Sequence, residues 1–203
     1  MIGLNKSYFL AAAKKRQQVS GGGGFDLSTA SYDSVSFSVA AQEAYPLGIA
    51  FNTDGTKMYI VGITTDTVHQ YTLSTGFDLS TASYDSVSFS VAAQDAVPLG
   101  ITFNTDGTKM YIVGNTNDSV HQYTLSTGFD LSTASYDSVS FSVAGQDTVP
   151  YDIAFNTDGT KMYIVGGTNA SGFQYTLSTG FDLSTASYDS VSFSVAAQEA
   201  NPL

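Results

Sequence analysis

The stretch FNTDGTKMYIVG at Phe51–Gly62 recurs unchanged at Phe103–Gly114 and Phe155–Gly166, 52 residues apart each time. A second stretch, FDLSTASYDSVSFSV, keeps the same period from Phe25, Phe77, Phe129 and Phe181. A chain written this way folds as a row of like units, each burying its apolar surface against its neighbours. The repeat fixes architecture first and says little about chemistry.

Within one unit, four segments have strand character. Val35–Val39 alternates apolar residues with serine, a period of two. Leu47–Phe51 alternates large and small residues, and Lys57–Val61 is almost continuously apolar. Between them Asn52–Thr56 carries an Asp-Gly pair, a strong tight-turn signal. Val68–Leu73 is the fourth. The stretch from Ser74 to Ser86 reads as a polar connection with Phe77 and Leu79 as plugs, and Ala41–Ala44 as a loop or one turn before Pro46. Four short strands with apolar residues on both faces cannot stand alone. Stacking sheet on sheet removes both faces from water.

The motif P-x-G-I-A-F-N-x-D-G-T-K-M-Y-I-V-G followed by V-x-Q-Y resembles the repeat of YVTN, NHL and WD40-like propellers. The leading segment stands as Pro46-Leu47-Gly48-Ile49, Pro98-Leu99-Gly100-Ile101 and Pro150-Tyr151-Asp152-Ile153. The turn is Asn-Thr-Asp-Gly where those repeats often have Ser-Pro-Asp-Gly. The resemblance covers residues 25 to 203 and implies blades of a β-propeller. The expected fold is therefore all-β: propeller-like blades of four antiparallel strands, three full blades plus an extra outer strand at Val35–Val39. Propellers close at about four to eight blades. Three blades leave apolar faces open, and three arrangements cover them: a two-chain, six-bladed ring, another closed assembly, or a capped stack. We expect closure by oligomerisation, which makes a second copy of the chain the first partner.

Charge divides the chain into two parts, 1–24 and 25–203. Four of the seven basic residues lie in the head, at Lys6, Lys14, Lys15 and Arg16, ahead of the glycine run Gly21–Gly24. All eighteen acidic residues follow from Asp26, against three lysines. A field of that sign opposes nucleic acid and anionic membranes, and no apolar run is long enough to span a bilayer. There are no cysteines, so disulfide and thiol chemistry are excluded. The head reads as a docking peptide, with Lys6, Tyr8, Phe9, Lys14, Lys15 and Arg16 as its contact residues, or as a frayed leader. MIGLNKSYFLAAAKK is similar to the opening segments of marine phage structural proteins, which implies a virion or particle surface.

No site stands out as catalytic. His69 and His121 are equivalent, but Phe173 takes the third place, which suits packing better than ligation. Asp54, Asp106 and Asp158 sit in Asp-Gly turns, where a carboxylate bonds its own backbone. The Tyr-Asp pairs Tyr32–Asp33, Tyr84–Asp85 and Tyr136–Asp137 are the candidate ligand-facing loops, an aromatic beside a carboxylate being able to hold sugar hydroxyls. Phosphate-loop, dinucleotide and nucleophile-elbow patterns are missing, and no cofactor or metal is expected. The sequence thus favours a non-catalytic structural or decoration protein of a large particle, self-assembling through its blades. The alternative is a secreted or surface propeller binding carbohydrate or protein. A propeller hydrolase or lyase, the third class, needs an acidic or histidine cluster confined to one blade.

Overall fold

The computed structural model describes residues 27–199. Twelve strands form three sheets of four, each a meander of neighbours in sequence. The first blade holds β1 (Pro46–Phe51), β2 (Lys57–Gly62), β3 (Thr67–Leu73) and β4 (Ala82–Ser90). The second holds β5 (Pro98–Phe103), β6 (Lys109–Gly114), β7 (Ser119–Leu125) and β8 (Ala134–Ser142). The third holds β9 (Pro150–Phe155), β10 (Lys161–Gly166), β11 (Ser171–Leu177) and β12 (Ala186–Ser194). All pairings are antiparallel. These are three blades of a propeller-like repeat, as the 52-residue period implies. No helix among the described residues is long and apolar enough to cross a membrane.

The Asp-Gly signal acts as expected. Asp54 Oδ1 accepts the Thr56 N–H at 2.9 Å, and Gly55 takes φ +74°, which a side chain resists. The loop that follows β3 folds back onto this turn. Its Phe77 N–H donates to the Gly55 carbonyl at 3.0 Å, and the ring lies where a Gly55 Cβ would be. Phe77 itself adopts φ +61°, a left-handed conformation held by that contact and by packing on Phe51. The loop ends in a 3-10 turn, Leu79–Thr81, whose Ser80 N–H Asp78 caps.

The fourth strands are longer than their sequence suggests. Ala82–Ser86 belongs to β4 and is not loop. A bulge hides this: Tyr71 pairs with Tyr84 and Gln70 with Val87, leaving Asp85 and Ser86 between, with Ser86 at φ +59°. The bulge divides the strand between two faces. Tyr84 joins Tyr71 on one, while Val87 and Phe89 join Gln70 and Val68 on the other.

Each sheet therefore has a front and a rear. The front of the first blade (Ala50, Tyr59, Val61, Val68) meets the rear of the second (Ile101, Met110, Ile112, Tyr123) in one buried cluster. Tyr111, Val113 and Val120 meet Ile153, Met162, Ile164 and Tyr175 in the same way at the next junction. Small residues set the spacing near the inner strands. A Cβ on Gly48 would come 2.9 Å from the Leu99 carbonyl oxygen, and one on Gly100 2.9 Å from Asp152 Cα.

The extra outer strand expected at Val35–Val39 is not a strand. No third strand lies beside it among the described residues, so it has no ladder to join. It packs all the same. Phe37 and Val39 lie on the rear of the first blade, over Met58, Ile60 and Tyr71.

Candidate functional site

Two of the Tyr-Asp pairs proved to lie in strands and not in loops. Tyr84–Asp85 is in β4 and Tyr136–Asp137 in β8. Their carboxylates face their own sheets. Asp85 Oδ2 accepts from Lys57 Nζ at 2.7 Å and Gln70 Nε2 at 2.8 Å, and Asp137 does the same with Lys109 and Gln122. Burial pulls the Asp85 and Asp137 carboxyls up. The hydrogen bonds and lysine charge outweigh it and leave both below the usual carboxylate range. In the third blade Lys161, Thr176 and Gln174 bring Asp189 down to about 2. The tyrosines pack on their neighbours: Tyr84 lies 5.3 Å from Tyr71, ring to ring, and Tyr136 5.3 Å from Tyr123. The pair left outside a sheet is Tyr32–Asp33, both exposed. Lys6, Tyr8, Phe9, Lys14, Lys15 and Arg16 lie outside the described residues.

A set of buried carboxylates forms a second kind of site that the sequence showed only as a Glu-for-Asp exchange. Glu43, Asp95 and Asp147 are all but fully buried. Each stands three residues before the leading proline and caps the turn between the second and third strands. Glu43 accepts the N–H of Tyr45 at 2.8 Å, of Thr64 at 3.0 Å and of Thr65 at 3.1 Å. Burial raises its carboxyl, but these bonds win and hold it below the usual range. The fixed offset from proline was the available signal. No group of three metal-ligating side chains occurs among the described residues.

His69 and His121 lie beside these caps, both buried, edge-on to Tyr84 and Tyr136. Phe173 meets Tyr188 in the same way. Burial lowers both imidazole pKa values, against the opposing pull of Glu43 and Asp95. Since the folded values lie below the unfolded one, near 6.5, the unfolded chain gains protons first as pH falls. Histidine-linked stability is complete above that pH and is lost as pH drops through the lowered values. The double variant His69→Phe/His121→Phe copies the third blade. Its melting temperature is expected to fall less than the wild type's between pH 7 and 5, by on the order of 3 °C. Equal falls would contradict the assignment.

The blade junctions carry polar contacts as well as apolar ones. The Tyr59 hydroxyl donates to the Phe129 carbonyl, and the Leu131 N–H donates to Gln70 Oε1 at 2.8 Å. Tyr111 to Phe181 and Leu183 to Gln122 repeat this. Thr53 Oγ1 donates to the Thr105 carbonyl at 3.3 Å, and Thr105 Oγ1 to Thr157 at 3.2 Å. A polar crevice of about 360 Å³ at the second junction is lined by Lys109, Gln122 and Asp182, which are bonded to Asp137, Leu183 and Ser184.

Among the described residues, the front of the third blade has no such cover. Tyr163 is 41% exposed, where Tyr59 and Tyr111 are fully buried. Val191 and Phe193 are 48% and 73% exposed. Gly172 stands where Val68 and Val120 stand, and a shallow groove of about 180 Å³ opens beside it. Asp152 replaces the glycine of the other two inner strands. This face departs from the other two fronts at Asp152 and Gly172.

No protein-family model matches the chain, and no curated protein does. Solved structures match by shape. A protein of unknown function from Desulfotomaculum acetoxidans is 16% identical with a TM-score of 0.52, over 73% of this chain and 42% of its own. A Bacteroides fragilis protein provisionally named a 6-phosphogluconolactonase is 15% identical with a TM-score of 0.53, over 74% and 39%. A Lactobacillus plantarum protein is 14% identical with a TM-score of 0.52, over 70% and 40%. The likeness is one of fold alone, and the chain spans about two fifths of the length of these proteins.

Proposed function

We propose that this chain is a non-catalytic binding and assembly module whose working surface is the uncovered front of the third blade. One observation carries the reading. Side chains that are buried at two junctions, Tyr59 and Tyr111, have an exposed counterpart in Tyr163, with Val191 and Phe193 exposed beside it. An apolar sheet face of this kind stays in water only at a cost, and a second copy presents the surface that covers it twice within the chain. Glu43 is engaged in capping and Asp85 and Asp137 in lysine pairs, which supports binding over catalysis. The finer form of the proposal places the module on a virion or other extracellular particle surface, docked through residues 1–24. Cosedimentation of the full chain with candidate particles tests that placement.

The assembly reading is tested by sedimentation velocity of the full chain against Val191→Ser/Phe193→Ser. The wild type is expected to form a species heavier than the 21.4 kDa chain as concentration rises, and the variant to lose it. A wild type monomeric at every concentration would contradict the reading.

A further inference from the structure

Residues 25–44 and 181–200 are identical, twenty residues in each copy. Part of the second copy is β12, paired along β11 from Ser171–Ser194 to Leu177–Ala186. The matching part of the first copy lies without a strand partner on the rear of the first blade. There Phe37 meets Tyr71 edge-on at 5.7 Å and 81°. Phe89 meets Tyr123 at 5.6 Å and 82°, and Phe141 meets Tyr175 at 5.6 Å and 83°. Residues 35–39 thus sit where the outer strand of a preceding blade would sit, with no such blade among the described residues.

We propose that residues 35–39 are a resident plug, which β12 of a second copy displaces when two chains join head to tail. This rests on the assembly reading above and names its mechanism. In the joined state Phe193 of one chain takes the place of Phe37 on Tyr71 of the other. The plug is the weaker occupant. It is held by side-chain packing, whereas β12 arrives already ordered by its ladder with β11. Ordering a free strand costs entropy that β12 has already lost.

The remaining groups of the two faces match in kind. On the third blade, Tyr163 Oη, Gln174 Oε1 and Thr157 Oγ1 have no hydrogen-bond partner among the described residues. On the first, the Phe77 carbonyl, the Leu79 N–H and the Thr53 carbonyl have none either. These are the partners that Tyr59, Gln70 and Thr53 find in the next blade through Phe129, Leu131 and Thr105. A head-to-tail contact completes all three pairs. Asp152 limits how closely the inner strands approach, since its counterparts Gly48 and Gly100 leave no room for a Cβ. The contact therefore falls away from the inner strand β9, around Tyr163, Val191 and Phe193. Two copies joined at both ends make six blades, within the range at which propellers close.

The test uses identical substitutions at identical sequences. Sedimentation velocity compares full-length wild type, Phe37→Ala and Phe193→Ala across concentration, with circular dichroism confirming the fold. Phe37→Ala is expected to tighten association about tenfold and Phe193→Ala to weaken it about tenfold. Phe37→Ser serves as a second plug variant, and Phe37→Ala/Phe193→Ala is expected to fall back toward monomer, separating specific joining from aggregation. A wild type that associates while Phe37→Ala leaves it unchanged or weaker would overturn the plug and leave the assembly reading standing. Association in Phe37→Ala with a monomeric wild type upholds the plug and overturns unaided self-assembly. Monomers throughout would overturn both.

Discussion

Leu131→Ala is expected to cost the fold about 3 kcal/mol, and Leu27→Ala nothing measurable. The two leucines stand in the same pentapeptide, FDLST, and differ only in what lies opposite. Leu131 is fully buried against the front of the first blade, next to Ala50, Tyr59 and Val68. Truncation removes apolar area and leaves a cavity that two packed sheets cannot close. Leu27 is 79% exposed and has nothing to lose. Leu183 is buried like Leu131 and should follow it, while Leu79, half-buried, falls between. Urea denaturation of the four alanine variants checks the order. Similar losses at positions 27 and 131 would mean that the loops do not lock one blade onto the next.

Gly114→Ala is the second large effect, expected to destabilise by about 2–4 kcal/mol through overpacking and backbone shift. A Cβ there would lie 2.3 Å from Asp95 Cγ, in the middle of the buried cap. Asp95→Ala alone removes the acceptor of the Val97 N–H at 2.8 Å and of the Thr116 N–H at 3.3 Å, at about 2–3 kcal/mol. The pair is not additive. Removing the carboxylate removes the three atoms nearest the new methyl, so Gly114→Ala/Asp95→Ala should fall short of the sum by more than about 1 kcal/mol. Gly145→Ala, with nothing within 4 Å of its Cβ, is the control and should be near neutral. Additive losses would show that the glycine is required for some reason other than the acid.

Much of the fold was legible because the repeat constrains every strand at once. The Asp-Gly turn, the apolar run of Lys57–Val61 and the period of 52 each pointed to stacked four-stranded sheets. The start of β4 was not legible. Its alternation breaks at the bulge, where neither Asp85 nor Ser86 stands opposite a residue of β3, so Ala82–Ser86 read as connection. For the same reason Asp85 and Asp137 read as loop carboxylates, when the bulge turns them inward to Lys57 and Lys109. Val35–Val39 failed in the opposite sense. Its local pattern is that of a strand, but a strand needs a neighbour, and pattern alone cannot supply one. The histidines were read correctly as packing groups from a single clue, Phe173 in the third copy. The buried caps Glu43, Asp95 and Asp147 lacked any such contrast, since all three copies keep an acid there.

The open face of the third blade was foreseen in general, from three blades being too few to close, but not in its detail. Asp152 and Gly172 mark it as different from the other two fronts, and those substitutions gain meaning only once the inner strands are seen to touch at Gly48 and Gly100. The most direct measurement is the absolute mass of the full chain in solution, by light scattering along a dilution series. The account predicts a defined species at twice the 21.4 kDa chain mass that dissociates on dilution. A single species at the chain mass throughout would contradict it.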